Sequence, residues 1–154
     1  MSKSQYLPAD PDFERRVRAS FDRQPVMGLI GARLTQVMPG QVQIEMPFDA
    51  RLTQQHGFIH AGITGTLLDS ACGFASLTLM PADAGILTIE YKVNCLAPAA
   101  GLRFRFTGRV RKAGRTITLA EGEAMAIDAE GHERLVATMT ATEMTIIGRD
   151  DVKD

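Results

Sequence analysis

The sequence predicts an α+β domain in which one long apolar helix is set among antiparallel strands. Three observations carry this. A single uninterrupted helical candidate runs from residue 60 to about residue 80, with Pro81 as its stop. Strand-like runs then recur at regular intervals, over 86–96, 102–111, 116–127 and 134–147. The turns between them carry PAAG, KAGR and DAEGH, the last two short enough for hairpins. One sheet wrapped around the helix buries both best.

Upstream, Phe13, Val17 and Phe21 recur at i, i+4 and i+8, which predicts a short amphipathic helix with a charged outer face. Residues 29–48 predict two strands around a Pro39-Gly40 turn, with Val42, Ile44 and Met46 alternating inward. The chain divides into an N-terminal segment over 1–27, a domain over 28–148 and a polar tail over 149–154. At 154 residues it is long enough to bury a core. With 17 basic and 18 acidic residues, its net charge of −1 gives no general pull towards nucleic acid. The opening stretch is too polar for a secretory signal, and no apolar run is long enough to span a bilayer. A cytoplasmic protein without a membrane partner is the expectation. Cys72 and Cys95 lack CxxC spacing and are expected to be buried thiols.

The long helix contains one anomaly, Asp69. No Lys, Arg or Glu occurs between residues 52 and 82, so this carboxylate is alone among Gly, Ala, Leu, Ile, Thr and Ser. A solvated helix face normally carries several charges, and an unpaired carboxylate in apolar surroundings is costly. Either Asp69 points to water or it is kept for chemistry. At 3.6 residues per turn it shares a face with Gly62, Gly65, Thr66, Gly73 and Ser76. Glycines inside a helix cost roughly 1 kcal/mol each against alanine. They make sense if another backbone or a narrow ligand comes close there. At the helix start, HGFIHAG supplies backbone N–H groups at the positive end of the dipole, where a developing oxyanion is stabilised.

The residues Gln54, Gly57, His60-Ala61-Gly62 and Asp69 resemble the motif of the hotdog-fold acyl-CoA thioesterases of the phenylacetate-degradation (PaaI-like) type. That motif has Asn or Gln, Gly three residues later, His-Gly-Gly, and an acid nine residues after the His. LTIEYKVNCLAPAAG resembles the strand that follows the helix in that family, and the similarity extends over roughly residues 28 to 146. The resemblance implies a helix wrapped by a curved antiparallel sheet, and a homodimer or homotetramer with active sites at the subunit interface. It implies an acyl-CoA substrate and no cofactor. Asp69 would attack the thioester or activate water. The Ala61 N–H would hold the oxyanion, and Gln54 would orient the thioester or the water. Thr88, from the partner chain, would help to place that water, while Gly57, His60 and Gly62 shape the binding loop. Ala61 departs from the usual first Gly, and Gln54 from the Asn often found in the phenylacetate-degradation type, though Gln stands there in other hotdog thioesterases; the reaction class survives both.

Other candidates remain open. His56 and His60 stand four apart, but without a third ligand a structural role is expected and no metal is implied. His132 is expected to be solvated. In LRFRFTGRVRKAGR the arginines alternate with Phe104, Phe106 and Val110, which suits a half-buried strand with a solvated Arg face. The alternative is that Arg111 and Arg115 bind coenzyme A phosphates. A non-catalytic acyl-CoA-binding module needs no Asp69, and a hotdog hydratase would need a His/Asp set that is not evident.

Overall fold

The computed structural model describes residues 6–154. The first five residues of the polar N-terminal stretch lie outside the described residues. Two short helices, α1 (Phe13–Asp22) and α2 (Pro25–Ile30), precede strands β1 (Arg33–Met38) and β2 (Gln41–Pro47). A single 3-10 turn over Ala50–Leu52 leads to the long helix α3 (Ala61–Leu77). Four strands follow: β3 (Gly85–Cys95), β4 (Arg103–Lys112), β5 (Ile117–Ile127) and β6 (Glu133–Ile146). They form one antiparallel sheet in the order β1-β2-β4-β5-β6-β3, with β1 and β3 at its edges. The sheet curves around α3, the hotdog arrangement.

Strand alternation sets the core. Val42, Ile44 and Met46 of β2 are buried as expected, and so are Phe104 and Phe106 of β4. Along β5 the inward positions are small: Thr118, Ala120, Gly122, Ala124 and Ala126. They make room for the helix. Gly108 of β4 and Gly122 of β5 are direct partners in the ladder, and α3 rests on this pair. A Cβ on Gly108 would lie 2.2 Å from the Ala71 carbonyl oxygen, and one on Gly122 would lie 3.0 Å from Leu68 Cδ2. The close backbone approach expected at the helix glycines is made by Gly108 of the sheet instead, while Gly122 leaves room for the Leu68 and Cys72 side chains. On the helix, a Cβ at Gly65 or Gly73 would meet only a Tyr91 or Ile86 side-chain atom, at about van der Waals distance.

The C-terminus of α3 is held by α1. Arg16, buried, donates to the carbonyls of Leu77 (3.0 Å), Met80 (2.9 Å) and Pro81, and pairs with Asp10. A cation over the exposed carbonyls of a helix end complements the dipole. The helix ends at Leu77, short of the expected residue 80, because Thr78 Oγ1 turns back to the Ala75 carbonyl and accepts the Gly40 N–H. Helix α2 replaces the expected start of the first strand, and the division drawn at residue 28 falls inside it. Its signals were local: Pro25 at the first helical position and Gly31 just beyond the last, at φ 78°.

Gly108→Ala should destabilise the fold by about 1–3 kcal/mol, since backbone cannot give way as a flexible side chain does. Gly28→Ala, with nothing within 4 Å of the new Cβ, should be neutral or stabilising. Thermal unfolding of the two variants beside the parent checks both.

Candidate active site

The expected catalytic residues fall into two groups on one helix. The first is at the start of α3. Gly57, at φ 83°, turns the loop so that the Gln54 N–H meets the Phe58 carbonyl and the Gly57 N–H meets that of Gln54. The His60 N–H then anchors on the Leu52 carbonyl. His60 caps the helix: its Nδ1 accepts from the Gly62 N–H at 2.8 Å, so Nε2 carries the ring proton when the ring is neutral. The His60 carbonyl takes the N–H groups of Ile63 and Thr64. Of the first four amides, only that of Ala61 then has no acceptor among the described residues, and Ala61 is exposed. Gln54 accepts from the His56 N–H through its side-chain oxygen, and its amide NH2 has no acceptor among the described residues. Gln54 and Ala61 line a cavity of about 490 Å³ with Phe58, Ile59 and Pro98.

The second group is two turns further on. Asp69 is partly buried, and Thr88 Oγ1 donates to its Oδ1 at 2.8 Å. Burial pushes the Asp69 carboxyl above the ordinary aspartate range, and the Thr88 hydrogen bond opposes that shift. The two residues share a separate cavity of about 190 Å³ with Gln24, Ser70, Gly73 and Ile86. Thr88 was expected opposite Asp69 from a partner chain; the structure corrects this. β3 returns along α3 within the same chain, so the contact is internal.

Beneath this pair is a residue the sequence reasoning missed. Glu143 of β6 is fully buried, and neither carboxyl oxygen has a hydrogen-bond partner among the described residues. It stands across the ladder from Thr88 on one side and Thr118 on the other. Burial raises its carboxyl to about 7, with the nearby Thr88 hydroxyl acting against the rise and the charge of Asp69 adding to it. The signal was in the alternation of the last strand, where Glu143 has the same parity as buried Met139 and Ala141.

Other expectations divide. Cys72 is buried against α3's own sheet, its thiol pushed up chiefly by burial, while Cys95 is exposed, contrary to expectation. The arginines of β4 form a paired outer face: Arg103 with Glu45, Arg105 with Glu133, Arg109 with Glu123 and Arg111 with Glu121. Arg115, in the exposed turn after β4, has no ion pair among the described residues. His132 is exposed and bonded to Asp128.

The family model of the thioesterase superfamily matches residues 56–131. A thioesterase family protein from Silicibacter pomeroyi is 54% identical, covering 88% of this chain and 99% of its own, with a TM-score of 0.87. The chain belongs to the thioesterase superfamily. A conserved protein from Pseudomonas aeruginosa matches at 25% identity over 80% of this chain and 94% of its own, with a TM-score of 0.72. The E. coli PaaI protein of the phenylacetic acid degradation operon shares the fold at 17% identity over 90% of this chain and 96% of its own, with a TM-score of 0.76. This thioesterase is thus a hydrolase, and no helix among its described residues is long and apolar enough to cross a membrane.

The buried acid gives this thioesterase a pH signature. Glu143 keeps its proton in the folded state up to about pH 7, whereas the unfolded chain releases it near 4.5. Stability should therefore fall as pH rises through that window and level off above it. In Glu143→Gln this contribution should vanish, so the variant gains on the parent from pH 4.5 to 7. Urea unfolding across that range checks the difference in slope.

Proposed function

We propose that this thioesterase hydrolyses acyl-CoA at sites shared between two copies of the chain, with Asp69 as the reactive carboxylate. The observation that carries this reading is a distance. Ala61 and Asp69 are eight residues apart on α3, which is about 12 Å along the axis at 1.5 Å per residue. One carbonyl cannot touch both within one chain. Two helices running antiparallel across a twofold axis would bring the Ala61 N–H of one copy to Asp69 of the other.

Two features support that pairing. Among the described residues β3 is an edge strand bonded only to β6, and its exposed Leu87, Ile89 and Tyr91 make it a poor edge to leave in water. The start of the helix is open as well, with Ala61 and Gly62 exposed, while Gly65 and Gly73 further along are buried. In the shared site the thioester carbonyl accepts from the Ala61 N–H, and the Gln54 amide steadies the thioester or the water. Asp69 then either attacks the carbonyl carbon, giving an anhydride that water opens, or takes a proton from water as that water attacks. Coenzyme A leaves as the thiol and the acid is released. Arg115, which like Lys112 at the same turn has no ion pair among the described residues, is a better candidate for a CoA phosphate than Arg111, which is already held by Glu121.

Asp69→Asn keeps size and shape but removes the reactive group, and turnover should fall at least about a hundredfold. Free thiol released from a panel of acyl-CoAs is the readout; a parent-level rate would leave Asp69 a solvated helix residue. Mixed dimers test the sharing. Asp69→Asn chains combined with inactive Gln54 variants should regain one working site per hybrid. Asp69→Asn with Thr88→Val should regain none, because those two residues belong to the same half-site. Arg115→Ala should raise KM for acyl-CoA and leave kcat nearly unchanged, with little effect on N-acetylcysteamine thioesters.

A further inference from the structure

Glu143 is a buried acid that the hydrolytic scheme above does not use. The groups facing it from the packed elements are Thr88 of β3, Thr118 of β5, and Asp69 and Cys72 of α3; none of them is a cation. A carboxylate buried without a cation or a donor is costly, so the group is carried as the neutral acid. A neutral carboxyl has one O–H to donate. The Thr88 hydroxyl has already given its hydrogen to Asp69, and its oxygen keeps free lone pairs directly across the ladder from Glu143.

We propose that Glu143 is a positioning residue, whose neutral carboxyl donates to Thr88 Oγ1 and so keeps the Thr88 hydroxyl directed at Asp69. The inference rests on the reading of Asp69 as the reactive carboxylate. A chain of donors running Glu143 to Thr88 to Asp69 polarises each bond in turn and favours the ionised form of Asp69 against its burial. No proton is transferred along it. When Glu143 loses its proton, two carboxylates compete for one hydroxyl hydrogen, and the second negative charge stands beside the first. Asp69 then loses its fixed orientation. The pH–rate profile acquires an alkaline limb that belongs to Glu143, while the acid limb belongs to Asp69.

Two full-length variants and one spectroscopic titration test this. Glu143→Gln keeps a donor and cannot ionise; it should hold kcat/KM within about threefold of the parent at pH 6 and lose the alkaline limb. Glu143→Leu has no donor; its rate should fall roughly tenfold, the scale of one hydrogen bond to a charged group, and its acid limb should move to higher pH. Carbon-13 NMR of the glutamate-labelled chain reads the coupling without any turnover. One glutamate should titrate near neutrality, be missing in Glu143→Gln, and move to lower pH in Asp69→Asn. The inference is overturned if no glutamate titrates above the ordinary range, if that titration ignores Asp69→Asn, or if Glu143→Gln keeps the parent's alkaline limb. Should Asp69→Asn hydrolyse acyl-CoA normally, the functional reading fails while the NMR titration still decides whether the two carboxyls are coupled.

Discussion

The contact of α3 with the Gly108–Gly122 pair governs most of what this chain can do. Two opposed glycines remove the side chains that would hold a helix off a sheet, and the backbone of α3 settles onto β4 at Ala71. From there the helix cannot roll without driving Ala71 or Leu68 into the strands. Leu67, Leu68, Ala71, Cys72 and Ala75 are committed to the core by that seat, each fully buried. Asp69 consequently emerges at the flank, beside the edge strand, where Thr88 meets it. Arg16 at one end of the helix and His60 at the other fix its axial position.

A fixed helix also keeps the two chemical functions apart. Its N-terminus offers an amide, and its middle offers a carboxylate. The rigid spacing between them leaves each group with its own cavity. On the proposed reading these are two half-sites, and pairing of two copies completes the chemistry and covers β3. Beside Asp69 the edge of the core becomes locally polar, with buried Thr118 and Glu143 and exposed Thr88 in one cross-strand row. Such an island is expensive to bury unless its members bond to one another, and that cost is the physical reason to look for a coupling among them.

Much of the fold was legible in the sequence. The isolation of Asp69 in a stretch free of other charges marked it as exceptional, and the strand intervals gave all four C-terminal strands. The resemblance to the thioesterase motif placed His60 and the amide of Ala61 at the start of the helix, where His60 is found to be the cap. What escaped was long-range. Nothing local distinguishes Gly108, whose place under Ala71 depends on how β4 crosses α3, from a glycine such as Gly28 with open space around it. That Thr88 meets Asp69 of its own chain depends on the return path of β3 along the helix. Glu143 was legible by parity but was passed over, because an acid in a strand suggests a solvated face until the register is known. Helix α2 was missed although Pro25 and Gly31 bracket it, since Leu29 and Ile30 also suit a strand.

The sharing of one carbonyl between two chains is the central claim, and a structure with a bound, uncleavable substrate tests it most directly. In an acyl-CoA analogue whose thioester sulfur is replaced by methylene, the ketone oxygen marks the position of the oxyanion. The account predicts that this oxygen lies within hydrogen-bonding distance of the Ala61 N–H of one chain, while the ketone carbon faces Asp69 of the other. A ketone that meets Asp69 without any helix N-terminus nearby, or that rests in a cavity remote from Asp69, would contradict it.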